Sequence, residues 1–171
     1  MTKTKIKIVD NSSLRAEIDG LYELTNQVEL AKWAIKCVKH LLNLINFEVT
    51  DIKAIENGFK VNEQWQLGNL SVHEVRQAGF KIHQAARLCK SKILENAFRA
   101  AGQAVGVGHM KEHAMICSDY VIKTVQLIYP NQLEKITEER QWQLDKLIKY
   151  STKPAHNRAV YATAFCAAKI L

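Results

Sequence analysis

Apolar residues recur every three to four positions along most of the chain and alternate almost nowhere, a pattern that predicts helices and no strands. Residues 1–12 are the exception: Lys3, Lys5 and Lys7 alternate with Thr4, Ile6 and Ile8, which reads as an extended arm or a frayed end. Ser12 and Ser13 can cap a short helix over 14–24. Asn26 with Glu29 spells a capping box for a helix to about Phe47, with Leu30, Ala34, Cys37, Val38, Leu41 and Ile45 on the core side and Lys32, Lys36 and Lys39 on another face. Thr50 and Asp51 open a helix that carries Ile52, Ile55, Phe59 and Trp65 and stops near Gly68. Ser71 with Glu74 makes a second capping box, for a helix whose stripe is Val72, Val75, Phe80, Ile82, Ala86 and Cys89.

Residues 93–129 are apolar on two faces, the mark of a buried central helix. Unbroken, that stretch would run to about 55 Å at 1.5 Å per residue, whereas a chain of this size has a radius of gyration of about 16 Å. A kink or break is therefore expected between Gly106 and Lys111. Pro130 ends the element, and Asn131 with Glu134 or Thr137 begins another that holds Ile136, Trp142, Leu144, Leu147 and Ile148. Pro154 fits the first turn of a last helix, with Tyr161, Ala164, Phe165, Ala168 and Leu171 on one side. No repeat or linker interrupts the pattern. The fold class is all-α: one domain over residues 1–171, an array of six to eight helices around a central Ala/Gly-rich helix.

Composition agrees. With 171 residues, 47% hydrophobic and 24% charged, the chain can bury a real core and is not disordered. Cys37, Cys89, Cys117 and Cys166 form no Cys-x-x-Cys pair and lie on apolar helical patterns, as buried thiols in a reducing compartment do. The N-terminus lacks the apolar run of a signal peptide. The uncharged run from Ala100 to Met110 is about half of the roughly 20 residues that a membrane span requires. A cytoplasmic location is the expectation. The net charge of +7 and pI near 9.2 fit an acidic protein partner, nucleic acid or simply a solvated basic face. Nucleic acid is disfavoured, because the local basic excess of Lys81, Arg87, Lys90, Lys92 and Arg99 has no interleaved aromatics and no nucleic-acid module signature occurs.

The candidate chemistry gathers in residues 99–113. Gly102, Gly106 and Gly108 each cost a helix about 1 kcal/mol relative to Ala, and a neighbouring helix crossing very close is the gain that offsets them. His109 and His113 are one turn apart, and His-x-x-Glu-His is also the pattern of inverted zinc proteases, where two His bind Zn and the Glu, here Glu112, is the general base. Such a site needs a third ligand, with Glu134, Glu138 and Glu139 as candidates. Three matching letters are too few to carry that chemistry, so neither a metal nor a catalytic residue is expected, and no Gly-x-Ser-x-Gly elbow or Cys–His spacing supports nucleophilic catalysis. Helical phase continues from Leu94, Phe98, Ala101 and Val105 onto His109, His113, Ile116 and Tyr120, which turns both imidazoles inward, where they need partners. His83, Arg87 and Arg99 fall on flanking helices. Together with His109, His113 and Tyr120 they make a candidate polar pocket, either an internal network or a small-ligand site. Trp33, Trp65 and Trp142 sit at core spacing.

Trp33-Ala-x-x-Cys37-x-x-His40-Leu41, Trp65-x-x-Gly68, His83-x-Ala-Ala-Arg87, Ala97-x-Arg-Ala-Ala-Gly-Gln-Ala-Val105, Gly108-His109-Met110-x-x-His113-Ala114 and Arg140-Gln-Trp-Gln143 follow one another in an order that resembles the immunity-protein-five-like family. The resemblance covers roughly residues 29–147. It departs at Glu48-Val-Thr-Asp-Ile-Lys53, where the family commonly carries a Pro-Asp-x-Pro-like segment, and at Ile116-Cys-Ser-Asp-Tyr120, which replaces an alanine- and tyrosine-rich continuation; Glu112 is outside the family pattern. The resemblance implies an all-helical immunity protein of a bacterial polymorphic toxin system, one that binds a cognate toxin and is not an enzyme. No cofactor is expected. The natural contacts for an acidic toxin surface are Lys32, Lys36 and Lys39, or Lys81, Lys90 and Lys92, and pairing with a second copy of the chain stays open. The alternatives are a metal-dependent hydrolase on His109, Glu112 and His113, and a helical small-ligand binder.

Overall fold

In the computed structural model, residues 2–45 and 52–151 are described. They contain seven helices: α1 (Ser12–Leu24), α2 (Gln27–Leu44), α3 (Lys53–Gln66), α4 (Val72–Leu88), α5 (Lys92–Gly106), α6 (His113–Ile128) and α7 (Leu133–Tyr150). No strand occurs among the described residues. Three expectations lie outside them: the extension of the second helix to Phe47, the opening of the third at Thr50 and Asp51, and the last helix from Pro154, with Cys166.

Local chemistry explains several of the helix starts. The Ser71 hydroxyl accepts from the Glu74 N–H, and the Glu74 carboxylate returns to the Ser71 N–H at 2.7 Å, so the capping box before α4 is complete. Asn26 caps α2 by accepting from the Glu29 N–H, but Glu29 spends its carboxylate on Lys32 at 2.6 Å instead of closing a box. The cap of α1 is Asn11, which accepts from the Leu14 N–H at 3.1 Å, and Ser12 and Ser13 lie inside the helix. Asn131 does not cap α7. It takes a left-handed backbone with φ 63° in the turn after Pro130, and Gln132 stands at the cap position without a side-chain bond.

α5 is the central helix. Ala97, Ala100, Ala101, Ala104 and Val105 are fully buried between α4 and α6, with α2 and α3 also touching it. The break expected after it is present: α5 ends at Gly106, turns occupy the next residues, and α6 restarts at His113. The core continues through Ile18, Leu30, Trp33, Val38, Leu41, Ile82, Met115, Ile122 and Leu147, one cluster that draws on all seven helices. Phe80, Val72 and Ile148 depart from their expected place on the core side, being 45%, 51% and 38% exposed. Phe80 carries Arg76 over its ring at 5.3 Å. Among the described residues no helix is long and apolar enough to cross a membrane.

Glycines set the helix spacing. A Cβ built on Gly79 of α4 would stand 3.2 Å from the Gly102 carbonyl oxygen of α5, and one on Gly102 would meet the His83 ring at 2.6 Å. Gly108 admits Val75 and Trp65 in the same way. The small-residue tract is thus the floor on which neighbouring helices and rings lie.

Candidate functional site

Three imidazoles assemble over the α5 glycines. His83 rests on Gly102, and His113, the first residue of α6, rests on Gly106 one turn along. The Nδ1 of His113 meets the Gln103 side-chain oxygen, and its Nε2 lies 3.4 Å from Nε2 of His109. An amide oxygen only accepts, so His113 is protonated at Nδ1, and its Nε2 accepts from the N–H of His109. That assignment leaves Nδ1 of His109 as a lone pair, buried without a hydrogen-bond partner, as is Nδ1 of His83. Burial pulls the His113 pKa down to about 4, helped by His109, His83 and Lys5 and opposed by Glu112. Burial also lowers His83, with Arg99 and Arg87 adding to the shift.

The expected pocket residues are thus brought together in part. His83, His109 and His113 cluster, and Arg99 and Arg87 act on His83 electrostatically; Arg87 is exposed and Arg99 is half-buried, held by Glu95 at 3.0 Å. Tyr120 packs against the core on α6. His109 is in the turn between α5 and α6, so the pair meets across a chain reversal and not along one continuous helical face. The imidazoles fill the space over the glycines themselves.

The zinc arrangement does not assemble among the described residues, where no three His, Cys, Asp or Glu side chains converge as a metal site. Glu112 is exposed, Glu138 pairs with Lys135, and Glu139 pairs with His40 at 3.3 Å.

On the opposite side of α2 the three expected lysines share a groove of about 170 Å³ with Ile35, Glu63, Gln66 and Tyr150. Lys32, Lys36 and Lys39 are all exposed. Lys32 is partly neutralised by Glu29, and Lys39 by Glu63 at 3.6 Å, while Lys36 has no anionic partner among the described residues. Lys81 is exposed midway along α4, and Lys90 and Lys92 are exposed at the α4–α5 turn, with Lys92 paired to Glu95 at 2.7 Å.

The most elaborate polar constellation escaped the sequence reading. Arg140 on α7 is completely buried, and each of its five N–H groups is matched: Nε and one Nη2 hydrogen donate to the two oxygens of Asp10 at 2.8 and 2.6 Å, the other Nη2 hydrogen to Asp119 at 2.8 Å, and Nη1 to Ser118 and Gln143. Arg15 on α1 donates to both oxygens of Asp119 at 3.1 and 3.2 Å and to the Thr2 hydroxyl at 3.1 Å. Gln143 passes the network to Glu139, which His40 faces while stacking on Trp142 at 3.8 Å. The signal was present: Arg140 falls in the same helical phase as Ile136, Leu144 and Leu147, and Asp119 lies between Met115 and Ile122 on the buried stripe of α6. Charges in phase with a core stripe mark a buried pair.

No curated protein and no solved structure shows a significant match to the chain. A family model does, across residues 20–150 and so over more than half of the chain, from the end of α1 through α7. The protein belongs to the Imm-5 like putative immunity protein family.

Proposed function

We propose that the protein neutralises a cognate toxin in the bacterial cytoplasm by stoichiometric binding, without catalysis, and that the α2 groove is its contact surface. Family membership supports the role. The observation that carries the surface is the row of Lys32, Lys36 and Lys39 along one rim of a groove whose described acids leave Lys36 unpaired. An acidic patch on the toxin would meet these ammonium groups at partly solvated distances, so charge steers the encounter and sets its rate more than its final affinity. Tyr150 and Ile35 give the groove an apolar floor on which a partner side chain can rest.

The test is co-expression with the toxin encoded beside the gene, alongside the triple substitution Lys32→Glu, Lys36→Glu, Lys39→Glu. The wild type is expected to protect cells and to co-elute with the toxin on a sizing column. The triple variant should keep its helical circular dichroism and lose both. No protection by the wild type removes the toxin reading; full protection by the triple variant moves the contact surface away from the groove.

A further inference from the structure

The arm from Thr2 to Asp10 lies outside the family-matched body, yet both of its ends are fastened into one buried charge cluster of that body and α1. At one end the Thr2 N–H donates to Asp19 at 2.9 Å and its hydroxyl accepts from Arg15. At the other, Asp10 lies in a fork–fork pair on Arg140. Between the ends Lys3, Thr4, Lys5, Lys7 and Val9 are exposed, Ile8 packs against the core, Lys123 donates to the Lys7 carbonyl at 3.2 Å and Gln126 to the Val9 carbonyl at 3.1 Å. The receiving side is different in kind. Ser118, Asp119, Arg140 and Gln143 are all buried on two long helices, and Ser118 and Gln143 are hydrogen-bonded to each other at 2.6 Å, so the guanidinium is held in place whether or not Asp10 is there. Lift the arm, and the Nε and Nη2 hydrogens that held Asp10 are left open on an arginine still fixed by Ser118, Gln143 and Asp119. That is the geometry of a carboxylate receptor.

We infer that Arg140, oriented by Ser118 and Gln143, is a carboxylate-binding site that Asp10 fills from within the chain and that an aspartate or glutamate side chain of the protein partner fills in the complex. The receptor half stands on geometry alone; the exchange half rests on the toxin-binding reading above. Arg140 is a binding residue here, and Ser118 and Gln143 position it. Asp10 acts as the resident competitor: it keeps the site satisfied in the free protein and lowers the apparent affinity for an incoming carboxylate.

Acetate is the probe. In Asp10→Ala the methyl side chain leaves the fork open, and acetate is expected to raise the melting temperature of this variant saturably, by several degrees more than chloride at the same ionic strength. The wild type should show no such difference, nor should Asp10→Asn, whose amide still occupies the space. If Asp10→Ala is insoluble, refolding yield from denaturant in acetate against chloride gives the same reading. Equal responses to acetate and chloride overturn the receptor. With the toxin encoded beside the gene, Asp10→Ala should bind three- to tenfold tighter than wild type, and acetate should compete; unchanged or weaker binding overturns the exchange. A wild type that binds no toxin removes the functional reading instead, and the acetate experiment still reads the site.

Discussion

Gly79 of α4 faces Gly102 of α5 so closely that the first carbon of any side chain on Gly79 would lie 3.2 Å from the Gly102 carbonyl oxygen. The obstacle is backbone, which cannot rotate away. Gly79→Ala gains helix propensity of about 1 kcal/mol but overpacks the crossing at a cost of roughly 1–3 kcal/mol. A net loss of about 1 kcal/mol in urea denaturation is expected. Gly20 is the control: it is exposed in α1 with nothing within 4 Å of its Cβ position. Gly20→Ala should stabilise by about 0.5–1 kcal/mol; equal effects at the two sites would refute the close crossing.

Acid should weaken the fold through the imidazole cluster. His113 binds its proton more weakly in the folded protein, with a pKa of about 4 against the ordinary 6.5, so the unfolded chain takes up the extra proton between those values. Stability is then full above about pH 6.5 and falls as pH drops toward 4, and His83 adds in the same direction. The urea midpoint should fall over that window, and His113→Gln should flatten the fall. An NMR titration that finds the His113 ring changing state near its ordinary value would contradict this.

Asp119 should matter more than any carboxylate on the surface. It is 2% exposed and serves both Arg15 and Arg140. Asp119→Ala takes the shared carboxylate from two buried guanidinium groups, leaving Arg140 with Asp10 and Arg15 with Asp19, and losing one partner of a buried pair costs about 3–5 kcal/mol. Glu138→Ala, which breaks only the exposed pair with Lys135, should cost less than about 1 kcal/mol. Thermal melting of the two variants side by side checks the contrast.

Salt should slow toxin association more than it speeds dissociation. Lys36→Ala should reduce the association rate at low ionic strength more than Lys32→Ala or Lys39→Ala, because the latter two already face Glu29 and Glu63. Stopped-flow association at two salt concentrations measures it, and a rate indifferent to salt removes electrostatic steering.

Much of this was legible because helices are local. The Ser71–Glu74 box, the Lys32–Lys36–Lys39 face and the break after Gly106 each depend on residues within a turn or two of one another, which periodicity reports directly. Asn131 misled because a cap and a left-handed turn favour the same residue type, and the reversal after Pro130 selected the turn. The histidines were placed on one face by running a helical phase through the very break that glycines 106 and 108 create, so their proximity was foreseen and its cause was not. The Arg15–Asp119–Arg140–Asp10 cluster joins segments far apart in the chain, and a local pattern shows only that each charge sits on a buried stripe, never which charge answers it.

Asp10 and Arg140 are separated by 130 residues, and Arg15 and Asp119 by 104. During synthesis, α4, α5 and α6 can pack on their chain neighbours as they emerge, and α1 and α6 can hold the arm at Thr2, Lys7 and Val9, whereas Asp10 has no guanidinium to meet until α7 has been made. A guanidinium with five donors to satisfy is a poor occupant of a half-built interior, so α7 docks productively only once α1, α6 and the arm are all in place. The ribosome's order of delivery therefore makes the Asp10 end of the arm the last to close, and a chain halted before Arg140 leaves Asp10 without its partner.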